Sequence, residues 1–364
     1  MLLLPYDSSQ TETQPAMDEL KQETSMKRTA KLIAAFAALA FSASALAAGA
    51  RFVVVSHAPD ADPFWNVVKN GIADAGKDFD VSVDYRNPPN GDLADMVHLL
   101  DQAAARNYDG VATTIADFDV VRGPVKTIVA KGIPVVTFNS GTAKQNQQLG
   151  GLLHVGQPEY LAGKEAGERA KAAGIKRFLC VNNNATNPDS FERCRGFAEA
   201  IGADFKTSTL DSGNDPIEVE NKVFAALHKQ PDTQAVLALG PTSAVPAMRA
   251  IQKLGLTGKI WFATFDMTSE VDKGIKAGAV KFAIDQQPYL QGYIPIALLA
   301  LMKQEHTHDI QKAIATLQAN PKFQQRIRTY GLTPRFQASG IDTGPGFVTQ
   351  ENVGLVDKYA GQYR

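Results

Sequence analysis

Short apolar runs alternate with amphipathic segments along this chain, and this alternation restricts the possible fold more than any other sequence feature. The first half predicts strands over residues 51–56, 80–85, 110–114 and 134–139, with helices over 63–79, 92–106 and 120–131. A strand, a crossover helix and a further strand form the unit of a parallel sheet that helices cover on both faces. The first half is therefore predicted to be one α/β unit.

The same pattern begins again at residue 160. Helices are predicted over 160–173, 189–201, 216–229, 243–254, 268–277 and 289–303, and strands over 178–182, 205–210, 235–239, 261–265 and 281–285. At about 150 residues per domain, a chain of 364 residues has room for two domains. The sequence therefore predicts an α/β fold with two doubly wound parallel-sheet lobes.

The N-terminal segment differs from the rest. Residues 26–47 contain a basic start, an apolar run over 32–41 and the sequence Ala45-Leu46-Ala47, a combination typical of a cleavable secretory signal peptide. The apolar run is shorter than the ~20 residues of a membrane span, so an uncleaved anchor is the weaker alternative. Residues 1–25 are predicted to be an upstream extension. The mature chain would then begin near Ala48 and be exported to an oxidising compartment.

The chain has two cysteines, Cys180 and Cys194. In an exported protein a single pair predicts a disulfide, although two buried free thiols are the alternative. A closed loop of about 14 residues would stabilise the fold by ~3 kcal/mol.

Charge and motifs exclude several classes of function. The 37 basic residues balance 38 acidic ones, which argues against a nucleic-acid-binding surface. The cysteines and six histidines form no metal-ligand pattern, and no protease, hydrolase or P-loop motif occurs. The sequence predicts no catalytic residue, no metal site and no cofactor.

Small polar residues follow almost every predicted strand. In open α/β sheets, ligands bind beyond the carboxyl ends of the strands. The residues at these positions are Ser56, His57, Asp117, Asn139, Ser140, Asn183, Asn184, Asp211, Thr242, Asp266 and Gln286. Short polar residues also favour turns and helix N-caps, which is the alternative for any single position. As a set, they predict a polyhydroxylated ligand clamped between two lobes.

Two aromatic residues lie at the first strand-to-helix turn, in the sequence Asp62-Pro63-Phe64-Trp65. An aromatic face there can stack on the C–H face of a sugar while polar side chains bind its hydroxyls. One of Phe64 and Trp65 is expected to lie partly in the core and the other to face the cleft.

The mature chain resembles the type I periplasmic sugar-binding proteins, the ribose/galactose-binding class of ABC-transporter receptors. The resemblance is carried, in this order, by VVVSHAPDADPFWNVVKNG (53–71), GIPVVTFNSG (132–141), DSFERCRGF (189–197), AVLALGPTSAVPAMRAI (235–251), FATFDMTSEV (262–271), FAIDQQPYLQGY (282–293) and GPGFVT (344–349). It implies two lobes, 48–154 plus 287–340 and 155–286 plus 341–364, joined by a three-strand hinge. It also implies a monomer in the periplasm that closes on its ligand and contacts an ABC permease transiently.

The resemblance also implies roles for individual residues. Ser56, Phe64 and Trp65 match positions that line the sugar site in ribose-type members. Arg193 matches an arginine that binds sugar oxygens through its fork of donors. Asp266 matches an aspartate that accepts hydrogen bonds from hydroxyls.

Other positions depart from that pattern. Asn139 and Ser140 stand where the ribose-type members carry an Asp-Arg pair, which favours a neutral sugar or polyol as ligand. Gly240 stands where an asparagine is usual, and Thr242 is its expected substitute. Gln286 matches the hinge glutamine. Further predicted site residues are His57, Asp62, Asp117, Asn184 and Asp211.

Three other functions are compatible with parts of the pattern. The same binding fold could present a sugar-like signal to a membrane chemoreceptor or histidine kinase. Asp117 and Asp266 could form the carboxylate pair of an exported glycoside hydrolase. The sensing domain of a lac-type repressor shares this fold, but the export signal and the missing helix-turn-helix argue against it.

Overall fold

The computed structural model describes residues 49–185 and 187–364. The predicted upstream extension and signal peptide lie outside this part of the chain. Within it, no helix has both the length and the apolar character that a membrane span requires.

The strands form in chain order as β1 Arg51–Val55, β2 Ser82–Arg86, β3 Gly110–Thr113, β4 Val135–Phe138, β5 Leu153–Gly156, β6 Phe178–Asn182, β7 Thr209–Asp211, β8 Ala235–Ala238, β9 Trp261–Phe265, β10 Phe282–Asp285, β11 Arg335–Phe336, β12 Gly340–Asp342 and β13 Gly346–Thr349. The helices are α1 Phe64–Phe79, α2 Leu93–Ala105, α3 Phe118–Ala130, α4 Ala143–Leu149, α5 Glu159–Ala172, α6 Pro188–Ile201, α7 Phe205–Ser208, α8 Pro216–Lys229, α9 Pro241–Lys253, α10 Ser269–Lys276, α11 Pro288–Gln304, α12 Ile310–Ala319, α13 Pro321–Tyr330 and α14 Val353–Val356.

These strands form two sheets, one in each lobe. The first has the order β11-β12-β5-β4-β3-β1-β2 and the second the order β13-β10-β9-β8-β6-β7. Pairing is parallel except for β11 with β12 and β10 with β13. The prediction of two doubly wound parallel-sheet lobes is confirmed. It could be made from sequence because parallel strands buried on both faces form continuous apolar runs.

The chain passes between the two sheets after β5, after β10 and after β12. The first sheet extends to Gly156 and Asp342, because β12 pairs with β5 over these residues. The boundaries at 154 and 340 that the family resemblance implied are therefore too early in the chain. The strand β10 of the second sheet ends at Asp285, one residue before the boundary that the resemblance implied after residue 286.

One predicted strand is partly wrong. Residues 205–208 form the short helix α7, and the strand β7 is confined to Thr209–Asp211. The Asp204 side chain accepts a hydrogen bond from the Lys206 amide, and the Thr209 hydroxyl donates to the Phe205 carbonyl. This helix N-cap outweighs the apolar pattern that predicted a longer strand.

The C-terminal segment does not stay in the second lobe as the resemblance implied. Val353 and Val356 pack in the core of the second lobe, but Tyr363 stacks on Tyr330 of the first lobe, with ring centroids 4.2 Å apart. The Arg364 guanidinium pairs with Asp285 at 2.6 Å. Residues 363–364 therefore return to the first lobe beside the second crossover, because aromatic stacking and a buried ion pair hold them there.

A disulfide joins Cys180 at the centre of β6 to Cys194 on α6, with Cα atoms 5.9 Å apart. Both residues are fully buried. The bridge ties α6 to the sheet one residue after Arg193. It therefore restrains the helix that carries this predicted site residue.

Replacing both cysteines with serine is expected to lower the free energy of unfolding by about 3 kcal/mol, because the unfolded chain regains the entropy of an open loop. Thermal melts of the oxidised protein and the double variant measure the effect. Reducing agent should lower the melting temperature of the natural chain and leave that of the double variant unchanged. Equal melting temperatures for both proteins under oxidising conditions would contradict a formed bridge.

Candidate ligand-binding site between the lobes

A cavity of about 70 Å³ lies between the lobes, where the carboxyl ends of both sheets meet. We call it the central cavity. Most of the predicted site residues line it: His57, Asp62, Phe64, Trp65, Asn139, Ser140, Asn184, Arg193, Thr242, Asp266 and Gln286. The structure thus brings together side chains from both halves of the sequence, as expected for strand ends that face one another.

Three predicted residues lie elsewhere. Ser56 is buried and its hydroxyl contacts the Tyr85 hydroxyl at 2.7 Å. Asp117 caps α3 by accepting hydrogen bonds from the amides of Asp119 and Val120. Asp211 is exposed at the end of β7. The Asp211 side chain accepts a hydrogen bond from the Gly213 amide at 3.3 Å. Asp117 and Asp211 thus serve local structure, which is the alternative that the sequence left open for each of them.

Four polar lining residues were not predicted from the sequence: Glu159, Asn187, Asp189 and Ser190. Asn187 caps α6 and Pro188 occupies the first turn of that helix. This Asn-Pro-Asp-Ser sequence is a helix-start signal, and a helix that begins at the carboxyl end of a strand points its first turn at the cleft. The signal that could have identified three of these residues was therefore present in the sequence.

Phe64, Trp65 and His57 form the aromatic wall of the cavity. Trp65 lies edge-on to His57 at 5.2 Å and to Phe64 at 5.4 Å. Both Phe64 and Trp65 line the cavity and also belong to the core of the first lobe. The expected division of the two between core and cleft is therefore wrong. Burial lowers the pKa of His57 to about 4, so this ring is neutral at neutral pH.

Asn139 and Asp266 occupy equivalent places in the two lobes. Each follows a central strand and has a left-handed backbone, with φ of 59° and 64°. Their amides donate to the carbonyls of Val155 and Ile284, at 2.9 Å and 2.8 Å. Asn and Asp tolerate this conformation better than most residues. The turn is sharp enough to place each side chain in the cavity lining directly after the strand.

A chain of amide side chains connects these two residues through the hinge. Asn139 Nδ2 donates to Gln291 Oε1 at 2.8 Å, and Gln291 Nε2 donates to Gln286 Oε1 at 3.2 Å. Gln286 Nε2 then donates to Asp266 Oδ1 at 2.9 Å. Gln291, on α11, was not predicted. The polar groups at the back of the cavity are therefore oriented before any ligand arrives.

Arg193 and Glu159 form a buried ion pair beside the cavity. Arg193 Nε and Nη2 donate to the two carboxylate oxygens of Glu159 at 2.6 Å and 2.8 Å, and Nη1 donates to the Leu239 carbonyl. The side chains are 12% and 8% exposed. Three of the five N–H donors of the guanidinium are thus occupied, and two are left for a ligand.

Close packing of α5 against α6 positions this ion pair. A Cβ atom on Gly163 would overlap the Arg193 carbonyl oxygen, and one on Gly196 would overlap the Tyr160 carbonyl oxygen. Only glycine permits so close an approach of two helix backbones. The two glycines thus bring the first turn of α5 next to Arg193.

Two hydrogen bonds cross the cleft between the lobes. Asn187 Nδ2 donates to Ser140 Oγ at 3.0 Å, and the Gly141 amide donates to Asp189 Oδ2 at 2.7 Å. In this structure the lobes therefore meet over the central cavity. Burial and the neighbouring Glu159 raise the pKa of Asp189 to about 6. Burial also raises the pKa of Asp266, to about 8.

The sequence from residue 52 to residue 306 matches the model of the periplasmic binding protein domain. The chain belongs to the periplasmic binding protein family. The ribose import binding protein RbsB of Escherichia coli is 30% identical over 72% of this chain and 88% of its own length. The xylose/arabinose-binding protein XylF of Sulfolobus acidocaldarius is 22% identical over 83% of this chain and 78% of its own length.

The solved structure of a carbohydrate transporter from Acidothermus cellulolyticus, in complex with myo-inositol, has the same fold. Its TM-score is 0.73 at 30% identity, over 86% of this chain and 98% of that one. These relatives of the periplasmic binding protein are named for sugar binding, for ribose import and for carbohydrate transport.

Two larger spaces adjoin the central cavity in this periplasmic binding protein. The first, of about 750 Å³, shares Asp62 and Asp266 with the cavity and has a largely apolar wall. We call it the proline-lined cleft, after Pro59, Pro63, Pro89, Pro216, Pro241, Pro246 and Pro288. The second, of about 310 Å³, lies beside β5 and shares Glu159 and Asp189 with the cavity. We call it the β5-side compartment.

Proposed function

We propose that this chain is the substrate-binding protein of an ABC importer and that it captures a small sugar or cyclic polyol between its lobes. The observation that carries the proposal is the central cavity, where hydrogen-bonding side chains from both lobes surround an aromatic wall. Such a lining suits a compact ring with hydroxyl groups at its edge and C–H groups on its faces.

The size of the cavity supports capture by lobe closure. The cavity is small, about 70 Å³, and hydrogen bonds between the lobes at Ser140 and Gly141 lie beside it. The lobes must therefore separate before a ring can enter, and side chains must adjust to hold it. Closure about the hinge would then restore the interlobe hydrogen bonds of Ser140 and Gly141.

The alternatives have less support. Asp117 caps α3 and does not line the central cavity, so it does not form a carboxylate pair with Asp266. The sensor alternative keeps the same ligand site, but the relatives named for import favour transport. We further propose export by the signal peptide at 26–47, the periplasm as the working compartment, a monomeric state and a transient contact with the permease.

A thermal-shift screen over pentoses, hexoses, linear polyols and inositols tests the proposed function. A ligand that binds only the folded state raises stability by about 2.7 kcal/mol at 100 times its dissociation constant, so at least one compound should raise the melting temperature. A screen in which no compound shifts the melt would contradict the proposal. Release of product from glycosides would point instead to the hydrolase.

A further inference from the structure

The β5-side compartment has many hydrogen-bond acceptors and no lysine or arginine among the described residues that line it. Its polar lining includes His154, Gln157, Glu159, Asp189, Glu192 and Asp342. Two of these side chains have a buried polar atom with no hydrogen-bond partner. A buried group left unpaired costs about 1–3 kcal/mol, so each such atom calls for a partner from outside the chain.

The unpaired atom of His154 is an acceptor. Asn146 Nδ2 donates to the Gly151 carbonyl, so Asn146 Oδ1 faces the Thr137 hydroxyl at 3.0 Å and accepts its only proton. His154 Nδ1 must then donate to the Thr137 oxygen, also at 3.0 Å. The other ring nitrogen, Nε2, is therefore left unprotonated, as a buried acceptor without a partner.

Gln157 supplies the second unpaired acceptor. Its Nε2 atom donates to Glu159 Oε2 at 2.9 Å, which leaves the Oε1 atom as the free end of the amide. This residue is 3% exposed, and its Oε1 atom has no partner. Both unpaired atoms are thus acceptors, and both belong to side chains in the wall of the compartment.

The carboxylates add uncompensated negative charge. Glu159 is paired with Arg193, and Glu192 with Arg195. Asp189 lines both the compartment and the central cavity, yet it accepts its hydrogen bond from the neutral backbone amide of Gly141. Arg193 attracts Asp189 electrostatically but is already hydrogen-bonded to Glu159, so a second positive charge supplied by a ligand would relieve the cost of burying Asp189.

We propose that the β5-side compartment binds the protonated amino group of an amino-substituted sugar or cyclic polyol whose ring occupies the central cavity. An ammonium group has three N–H donors and no acceptor, which matches acceptors that lack donors. A neutral hydroxyl could satisfy the unpaired acceptors but would add no positive charge beside Asp189. This inference rests on the proposed function and specifies the class of ligand.

Matched ligand pairs test the inference on the full mature protein. Calorimetry or thermal shift at pH 7 would compare D-glucosamine with D-glucose, D-galactosamine with D-galactose, and an aminodeoxy-inositol with myo-inositol. We expect at least one amine to bind about tenfold more tightly than its neutral partner, as a charge-assisted hydrogen bond would give. The measured quantity is the ratio of the two affinities, so a general loss of binding does not affect it.

Two variants locate the effect. Asp189→Asn keeps an acceptor for Gly141 and removes the charge, and it should reduce the affinity ratio to about one. Glu168→Gln is the control, because Glu168 is an exposed carboxylate on α5 that is paired with Lys171 and lies outside the compartment. Its ratio should stay at the natural value. If both variants lower the ratio equally, the assignment to Asp189 is wrong.

The natural protein gives an independent test by pH. Asp189 faces Glu159, Glu192 and Arg193, and its pKa is raised to about 6. Between pH 7 and pH 5 it gains a proton and loses its charge, so the preference for the amine should fall. This measurement decides the matter even if Asp189→Asn does not fold.

The outcomes separate the two proposals. If neutral ligands bind and every amine binds no more tightly than its neutral partner, the compartment holds only water and this inference is overturned while the proposed function stands. If no member of the panel binds and the wider screen of sugars and polyols is also negative, the proposed function fails and this inference fails with it.

Discussion

Replacing Arg193 with alanine is expected to lower the free energy of unfolding by about 3–5 kcal/mol, because it leaves Glu159 buried without its counter-ion. The Glu159 side chain is 8% exposed and receives both of its charged hydrogen bonds from this guanidinium. The family resemblance implied only a sugar-binding role for Arg193. The ion pair changes that expectation. Urea denaturation of the ligand-free protein measures the effect.

Two further variants separate a buried ion pair from other causes. Arg193→Ala combined with Glu159→Gln should recover much of the lost stability, since no charge is then buried without a partner. Arg195→Ala is the matched control on the same helix, because Arg195 is part-exposed and bonds to Glu192 and Glu199 near the surface. Arg195→Ala should lower the free energy of unfolding by less than about 1 kcal/mol. An equal loss in Arg193→Ala and the double variant would contradict this account.

Replacing Asp266 with asparagine is expected to make the ligand-free protein more stable above neutral pH. Burial raises the pKa of Asp266 in the folded state to about 8, from an ordinary value of 3.8. The folded protein therefore holds a proton that the unfolded chain releases, and stability falls as pH rises toward 8. The loss is about 1.4 kcal/mol per pH unit, or about 2 kcal/mol between pH 6.5 and 8.

Thermal melts across that window measure the effect. Three other buried groups change stability mainly below pH 6.5. They are His57 and His154, whose pKa values are lowered to about 4, and Asp189, whose pKa is raised to about 6. The natural protein should lose stability from pH 6.5 to 8, and Asp266→Asn should not. Asp211→Asn is the matched control, because Asp211 is an exposed carboxylate at a strand end outside the central cavity. If the stability of Asp266→Asn falls between pH 6.5 and 8 as steeply as that of the natural protein, Asp266 is ionised throughout this range.

The same variant should weaken ligand binding. Above pH 8, where Asp266 is ionised, a neutral amide is a poorer acceptor for sugar hydroxyls than the carboxylate, so the affinity is expected to fall about tenfold or more. The substitution would thus exchange binding for stability. Such an exchange is common where a site holds a group that the fold alone would not favour.

Much of the fold could be predicted from sequence, since buried parallel strands and crossover helices have distinct hydrophobic periods. The bounds of β6, α8 and β9 are those predicted. The hydrophobic pattern did not predict α4, because the sequence of this helix is mostly polar. That helix has few apolar residues, and it is defined by the Thr142 N-cap and by Gly150 at its C-terminus.

The residues of the site could likewise be predicted only in part from the sequence. The rule that ligands bind beyond strand ends brought Asn139, Asp266 and Gln286 into one candidate set from the sequence alone. It could not distinguish them from Asp117 and Asp211, which are also polar residues near the ends of predicted strands. Only the contacts in the folded chain show that these two residues support local structure.

The sequence by itself determined two α/β lobes and a polar site between them, because periodicity and strand-end chemistry are local properties of the chain. The tertiary structure decided the charge of that site. Glu159 reaches Arg193 because Gly163 and Gly196 let two helices approach closely. The hydrogen bond between Asp189 and Gly141 forms because residues 48 positions apart in sequence meet across the cleft. Such contacts depend on the packing of distant segments, which no local pattern records.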